Sequence, residues 1–282
     1  MAARKTVLIT GCSDGGIGSA LAATFQQRDF HVFATARDPS KMGDLKDLPN
    51  VTFLTLDIVN HEDIKAAVKA VSEHTGGDGT LDVLVSNAGR NHFMPILDED
   101  LDTVRKLFEI NFIGPIALTQ AFAPLLIKAK GMVAYISSTS GHLNIPYMGT
   151  YAASKRSIEI VGETLRLELA PFGVGVVEVV TGAVKSRGQT YFGDFKLPHQ
   201  SLYKSIEPTV ASRAQGKDGL PRMDTLEYAN AVVDNILERA SGRVWHGGFS
   251  ERVKNSTTSK DVPQSAMDAG AVMGTGLDAV GK

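Results

Sequence analysis

The chain has 282 residues, 43% hydrophobic and 21% charged, with a formal net charge of -2. These values fit a globular chain able to bury a large core, and they offer no basic excess for nucleic acid. Cys12 is the only cysteine, which excludes an intrachain disulfide and a cysteine metal cluster.

Met1 to Lys5 lead straight into the apolar run Thr6-Val7-Leu8-Ile9, so no signal peptide is expected. No apolar run reaches about 18 residues, so no integral membrane segment is expected. A reducing, cytoplasmic setting follows as the expectation.

The first run, Arg4 to Thr10, suits a buried parallel strand. It ends in Gly11-Cys12-Ser13-Asp14-Gly15-Gly16-Ile17-Gly18, and a helical pattern through Leu21, Ala22 and Phe25 follows. Strand, glycine turn and helix form the unit that holds a pyrophosphate. The glycines admit close backbone approach, and the helix start offers free N–H groups.

His31 to Ala36 reads as a second strand, followed by Arg37. An acidic residue here would grip a ribose 2′-hydroxyl, whereas an arginine accepts a 2′-phosphate, so NADP is favoured over NAD. Pairing of Arg37 with Asp38 is the plainer reading. Asp14 would oppose NADP if it faced the same phosphate.

Val51 to Leu56 is a third strand ending at Asp57, which either bonds an adenine amino group or caps the next helix. Asn60 to Ser72 is helical. Leu81 to Ser86 is a fourth strand closed by Asn87-Ala88-Gly89, whose small residues suit close approach to a cofactor or simply a turn.

One long helical pattern runs from Asp98 to Lys128, with Pro115 as a kink or break and the poor helix former Asn111 inside it. Gly131 to Ile136 is a fifth strand, followed by Ser137-Ser138-Thr139-Ser140-Gly141. Tyr151 opens a helix reaching about Ala170, and Val174 to Val180 is a sixth strand ending at Thr181-Gly182.

Tyr151 and Lys155 are four residues apart on one helix face. An ammonium beside a phenol favours the phenolate, so the tyrosine pKa is expected to fall toward the range of an acid–base catalyst. Alternating strands and helices predict an α/β fold, a doubly wound parallel sheet. Its ligand would lie at the carboxyl ends of the strands, where the glycine loop, Arg37, Asp57, Asn87, Ser138 and Gly182 all fall.

Residues 186–220 are too long for a plain connection and are expected to form a substrate lid. Their aromatics Tyr191, Phe192, Phe195 and Tyr203 either touch substrate or make a satellite core. A helix from Asp224 to Ala240 and a last strand at Gly242 to His246 follow. The expected organisation is one reductase domain over residues 1–250 with a polar extension at 251–282. His92, His142 and His199 lack metal-ligand spacing, so no metal is expected.

These features together resemble the short-chain dehydrogenase/reductase family over about residues 4–250. The likeness rests on the glycine loop, Asn87-Ala88-Gly89, Asn111, and Ser138 thirteen residues before Tyr151-x-x-x-Lys155. Four residues rather than the family's usual three separate Gly11 from Gly16. Fungal members similar to the NADPH-dependent 1-acyldihydroxyacetone-phosphate reductase share that spacing. They also share Ala36-Arg37, Thr181-Gly182, Val244-Trp245 and a late Gly274-Thr275-Gly276-Leu277-Asp278.

The resemblance implies catalysis by Asn111, Ser138, Tyr151 and Lys155. Tyr151 would exchange the proton and Ser138 would bond the substrate oxygen. Lys155 would lower the tyrosine pKa and hold the nicotinamide ribose, and Asn111 would hold a water leading to solvent. NADPH contacts are implied at Gly11, Ser13, Gly16, Ile17 and Gly18 of the first turn. Further contacts are implied at Arg37, Asp57, Asn87, Ala88 and Gly89, then at Tyr151, Lys155, Gly182 and Val184.

The expected substrate is an apolar small-molecule ketone, of polyketide type or an acyl-dihydroxyacetone-phosphate. A phosphate on the substrate would need Lys185, Arg187, Lys196 or Arg213. The polar stretch from Phe249 to Ala266 favours the metabolite. A cofactor-binding scaffold without turnover is the reading from another class. By family analogy the protein is expected to form a homodimer or homotetramer.

Overall fold

The structure is a computed structural model and describes residues 4–76, 79–217 and 219–257 together with Ser265. Seven strands form one parallel sheet in the order β3-β2-β1-β4-β5-β6-β7. They are β1 (Thr6–Thr10), β2 (His31–Ala36), β3 (Val51–Thr55), β4 (Val83–Ser86), β5 (Met132–Ile136), β6 (Gly175–Thr181) and β7 (Gly242–His246). The chain reverses direction across the sheet between β1 and β4, which is the crevice where such sheets take ligands.

Successive strand residues point to opposite faces, so the apolar runs feed two cores. Val7, Ile9, Val32, Val85 and Val177 face one side with Leu21 and Phe25 of α1 (Ile17–Gln27). Leu8, Phe33, Leu84, Val133 and Val176 face the other. There they meet Ile64 of α2 (His61–His74), and further along the chain Phe122 and Ile158.

The long pattern after residue 98 becomes α3 (Leu101–Phe108), a π turn (Glu109–Ile113) and α4 (Gly114–Ala129). The interruption therefore lies before Pro115, which sits in the first turn of α4. Proline has no N–H to offer the carbonyl four residues back and its ring crowds that carbonyl, and the wider π turn accommodates both. The consequence is that Asn111 is carried on the π turn, 1% exposed. By length and hydropathy Leu101–Ala129 could span a membrane. It instead packs Leu118, Phe122 and Leu126 into the core.

Two helices carry the remaining architecture of this half, α5 (Gly149–Leu169) and α6 (Glu207–Ala214). The segment after β6 is not a bare loop. A 3-10 turn at Arg187–Phe192 and α6 enclose a small separate core of Phe93, Phe192, Leu197, Val210 and Ala214, with Phe195, Tyr147 and Tyr203 against it. Of the aromatics in this segment, Phe192, Phe195 and Tyr203 thus belong to a satellite core, while Tyr191 is exposed. The Ser201 hydroxyl donates to Asp98 Oδ2 across 2.5 Å and ties this segment to the approach to α3.

Beyond it come α7 (Thr225–Leu237) and α8 (Ser250–Thr257), whose Val253 is buried. Most of the polar stretch after residue 257, with Gly274-Thr275-Gly276-Leu277-Asp278, lies outside the described residues.

Candidate active site

The site is built at the carboxyl ends of β1, β4, β5 and β6. After β1 the backbone turns at Gly11, whose φ is +75° and where a Cβ would sit 3.0 Å from Ala88 Cα. On α1, a Cβ at Gly18 would lie 2.3 Å from the Gly11 carbonyl oxygen. Both positions exclude a side chain, and together they press the loop against the helix start. Gly16 caps α1 without any side-chain hydrogen bond, and the first turn holds no acidic residue. The N–H groups of that turn, including Ile17 and Gly18, are free for an anion. Ser13 accepts the Gly16 N–H through its carbonyl at 3.1 Å. These residues fit the diphosphate of a dinucleotide.

Asn87 braces the loop from β4. Its Nδ2 donates to the Thr10 and Gly11 carbonyls at 2.7 and 3.2 Å. Thr10 Oγ1 in turn accepts the N–H groups of Asn87 and Ala88. The turn at Asn87-Ala88-Gly89 is therefore clamped to the glycine loop. A Cβ on Gly89 would stand 3.0 Å from Lys155 Nζ and 3.2 Å from Asn111 Oδ1.

Arg37, at the end of β2, is exposed and has no carboxylate partner among the described residues. Asp38 is engaged elsewhere, by the N–H and hydroxyl of Ser40 and by Lys41. The Asp14 carboxylate accepts the N–H groups of Gly43 and Asp44, each at 2.9 Å, and so is committed to that turn. Asp57 does not cap α2, because Asn60 does, accepting from Glu62 and Asp63. Asp57 Oδ1 accepts only the Val59 N–H, at 3.2 Å.

After β5, Ser138 is extended and its Oγ accepts from Ser140 N and Ser140 Oγ at 3.2 and 2.9 Å. Ser138 is also the one neighbour that pulls the Tyr151 pKa down. Ser137 faces away, donating to the Lys155 carbonyl and to Glu159. The three serines are thereby sorted: one toward Tyr151, one behind it, one under the helix.

Tyr151 and Lys155 lie on consecutive turns of α5. Lys155 is buried, its Nζ donates to the Ile136 carbonyl at 2.9 Å, and burial lowers its pKa to about 8. Tyr151 departs from the sequence expectation. Its pKa is raised, because burial outweighs the downward pull of Ser138. The ammonium is tied to a carbonyl and is itself pushed toward neutrality, which weakens the lever expected of it.

Asn111 is fully engaged: Oδ1 accepts from Arg90 N at 2.8 Å, and Nδ2 donates to the Arg90 carbonyl and to Ser154 Oγ. It shares a small pocket with Ser86, Tyr135 and Lys155. At the end of β6, Gly182 leaves no room for a side chain, since a Cβ would meet the Gly248 carbonyl at 2.3 Å. The Val184 side chain is in the core, so any cofactor contact there would come from its backbone.

Sequence reasoning passed over one network beside Tyr151. His92 Nε2 lies 2.6 Å from Glu99 Oε2, and the other Glu99 oxygen accepts from Thr150. No motif marks it, since His92 and Glu99 come from the connection between β4 and α3 and Thr150 from the start of α5. Nearby Tyr147 holds a φ of +72°, a strained backbone for an aromatic residue in the turn that leads into α5.

A nucleotide cradle and a serine–tyrosine–lysine group at one sheet edge define a dinucleotide-dependent oxidoreductase. The chain matches the family pattern described as short chain dehydrogenase over residues 5–195. It belongs to the short-chain dehydrogenase family. It is 46% identical over 244 residues to the short-chain dehydrogenase PC-15 of Penicillium crustosum, covering 86% of this chain and 89% of the relative. It is 34% identical over 259 residues to the NADPH-dependent 1-acyldihydroxyacetone phosphate reductase of Schizosaccharomyces pombe, covering 90% and 84% of the two chains. A solved short-chain dehydrogenase of Streptomyces avermitilis superposes with a TM-score of 0.76 at 27% identity, covering 99% of this chain and 98% of that one. The protein is thus an oxidoreductase of alcohol and carbonyl groups.

Proposed function

We propose that the protein is an NADPH-dependent reductase of an apolar small-molecule ketone, with Tyr151 as proton donor. The observation that carries this reading is the pairing of Tyr151, which Ser138 influences, with buried Lys155 one turn along the same helix. When bound, a reduced nicotinamide supplies the hydride that reaches the carbonyl carbon. Negative charge then builds on the carbonyl oxygen, and donors placed there stabilise the transition state above the ground state.

Tyr151 gives that oxygen its proton, and the raised pKa keeps the phenol protonated at neutral pH, the form an acid requires. Ser138 supplies the second donor, and Ser140 fixes it by donating to its oxygen. Lys155, with a pKa near 8, releases and regains a proton near neutral pH and so restores the tyrosine. Asn111 holds the Arg90 backbone beside it.

NADPH is preferred to NADH because exposed Arg37 offers an unpaired guanidinium where a 2′-phosphate would lie. The 34% identical relative is itself NADPH-dependent. An apolar substrate is favoured by Ile96, Leu97 and Leu202, which are 60%, 71% and 81% exposed. Ile96 Cδ1 lies 2.7 Å from the Cβ position of Gly149, two residues before Tyr151. A second reading, reduction of an acyl-dihydroxyacetone-phosphate, draws on that same relative and on exposed Lys185. Pairing of two copies through α4 and α5 would cover the exposed Ile113 and Ile160.

Loss of NADPH absorbance with a panel of apolar ketones and with an acyl-dihydroxyacetone-phosphate tests the proposal and separates the two substrates. NADPH binding without turnover of any ketone, unaltered by Tyr151→Phe, would instead support a scaffold.

A further inference from the structure

Arg187 opens the 3-10 turn that follows β6, and it reaches back to the glycine loop. Its Nη1 donates to the Asp14 carbonyl across 3.1 Å. Its Cδ and Cγ stand 3.7 and 3.8 Å from where a Cβ on Gly15 would lie, so the stem runs along that turn. Asp14 and Gly15 belong to the four-residue spacer between Gly11 and Gly16. Asp14 is rigid there, because Gly43 and Asp44 hold its carboxylate and its own N–H donates to the Lys41 carbonyl.

A guanidinium has five N–H donors and a permanent charge. One neutral carbonyl satisfies one donor and none of the charge. Among the described residues no carboxylate pairs with Arg187. The uncapped start of α1 opens from the same loop. An anion held there would meet the N–H groups of α1 on one side and the guanidinium on the other.

We propose that Arg187 binds the diphosphate of the dinucleotide seated on the glycine loop, and that this contact latches the covering segment over the cofactor. The inference rests on the reading of that loop as the cofactor cradle. Arg187 and Phe192 are the two ends of one 3-10 turn. Phe192 stacks edge-on to Phe93 with centroids 6.4 Å apart, and Gln215 Nε2 donates to the Phe192 carbonyl at 3.1 Å. A pull on Arg187 is therefore transmitted to the satellite core on the substrate side. Cofactor binding tightens the cover, and substrate meets a better-formed site once the cofactor is in place.

The test uses the full-length protein and fluorescence titration with NADPH and with NADH. Arg187→Ala should raise Kd for both by about tenfold, the scale of one charge-assisted hydrogen bond, because both carry the diphosphate. Arg187→Gln, which keeps a donor for Asp14 but no charge, should lose affinity to a similar degree, while Arg187→Lys should lose less. Chymotrypsin cleavage at Tyr191, Phe192, Phe195 and Tyr203 should be slowed by NADPH in the wild type and far less in Arg187→Ala. Thermal melting of the cofactor-free variants checks that they fold.

Unchanged Kd for both cofactors in Arg187→Gln overturns the proposal and leaves Arg187 as a brace for the loop. A loss confined to NADPH also overturns it and assigns Arg187 to the 2′-phosphate. Failure of the wild type to bind either cofactor overturns the cradle reading itself and this inference with it.

Discussion

Lys155 Nζ donates to the carbonyl of Ile136 across 2.9 Å, pinning a buried ammonium to the last residue of β5. Its pKa is lowered from 10.5 to about 8 by burial. For a depressed pKa, the stability linked to the group is full above the unfolded value and is lost as pH falls through the folded value. Below pH 8 the folded protein therefore carries the whole cost of the buried charge, up to roughly 3 kcal/mol. Lys155→Met should melt higher than the wild type at pH 7, with an advantage that shrinks toward pH 10, while its turnover is abolished. Melting curves across that range, read beside NADPH consumption, check both halves.

Tyr151→Phe removes the proton donor and keeps the ring. We expect kcat to fall about 10³-fold with NADPH affinity little changed. Ser138→Ala should fall by a comparable factor, since it leaves the developing oxyanion short of a donor. Ser140→Ala acts only through Ser138 and should cost roughly tenfold or less, the scale of one neutral hydrogen bond. Steady-state kinetics with one ketone, compared with cofactor titrations, separates these steps from binding.

Arg37→Ala should weaken NADPH binding by about 10- to 100-fold and leave NADH binding within about twofold, because only NADPH carries a phosphate at that ribose. Titration with both cofactors gives the ratio. Equal losses would show that Arg37 does not read the 2′-phosphate.

Glu178 of β6 is fully buried beneath α5, and neither carboxyl oxygen has a hydrogen-bond partner among the described residues. Gly162 admits it: a Cβ there would sit 2.5 Å from Glu178 Oε1. Burial, then Glu163 and Glu159, raise its pKa from 4.5 to about 8, against the counter-pull of Arg166. For a raised pKa, the linked stability is full below the unfolded value and is lost as pH rises through the folded one. The wild type should lose a few kcal/mol between pH 4.5 and 8 from this group. Glu178→Gln cannot ionise and should flatten that slope, with the larger gain in melting temperature at pH 8 than at pH 5.

Much of the fold was legible because strand and helix periods alternate without ambiguity from Thr6 to Thr181. The helix around Asn111 was legible as a helix but not as a π turn, since hydropathy does not register one extra residue in a turn. Pro115 marked the disturbance, and only the backbone geometry placed it at Glu109–Ile113. Asp57 left two readings open, and the geometry removed one by giving the cap of α2 to Asn60. The aromatics after residue 186 had no period to declare their partners. Phe93 and Tyr147, far away in sequence, decided that Phe192 and Phe195 pack as a core.

The sequence by itself determined the chemistry available. Tyr151 and Lys155 at helical spacing, Ser138 upstream and a glycine turn after the first strand are local or fixed-interval features, and such features survive in one dimension. The tertiary structure decided how that chemistry is tuned. Whether Lys155 depresses the Tyr151 pKa depends on burial and on what else the ammonium touches, and here burial dominates both groups. The reach of Arg187 to Asp14 joins residues 173 positions apart. Such contacts depend on how the loops stand at one sheet edge, and no spacing along the chain encodes them.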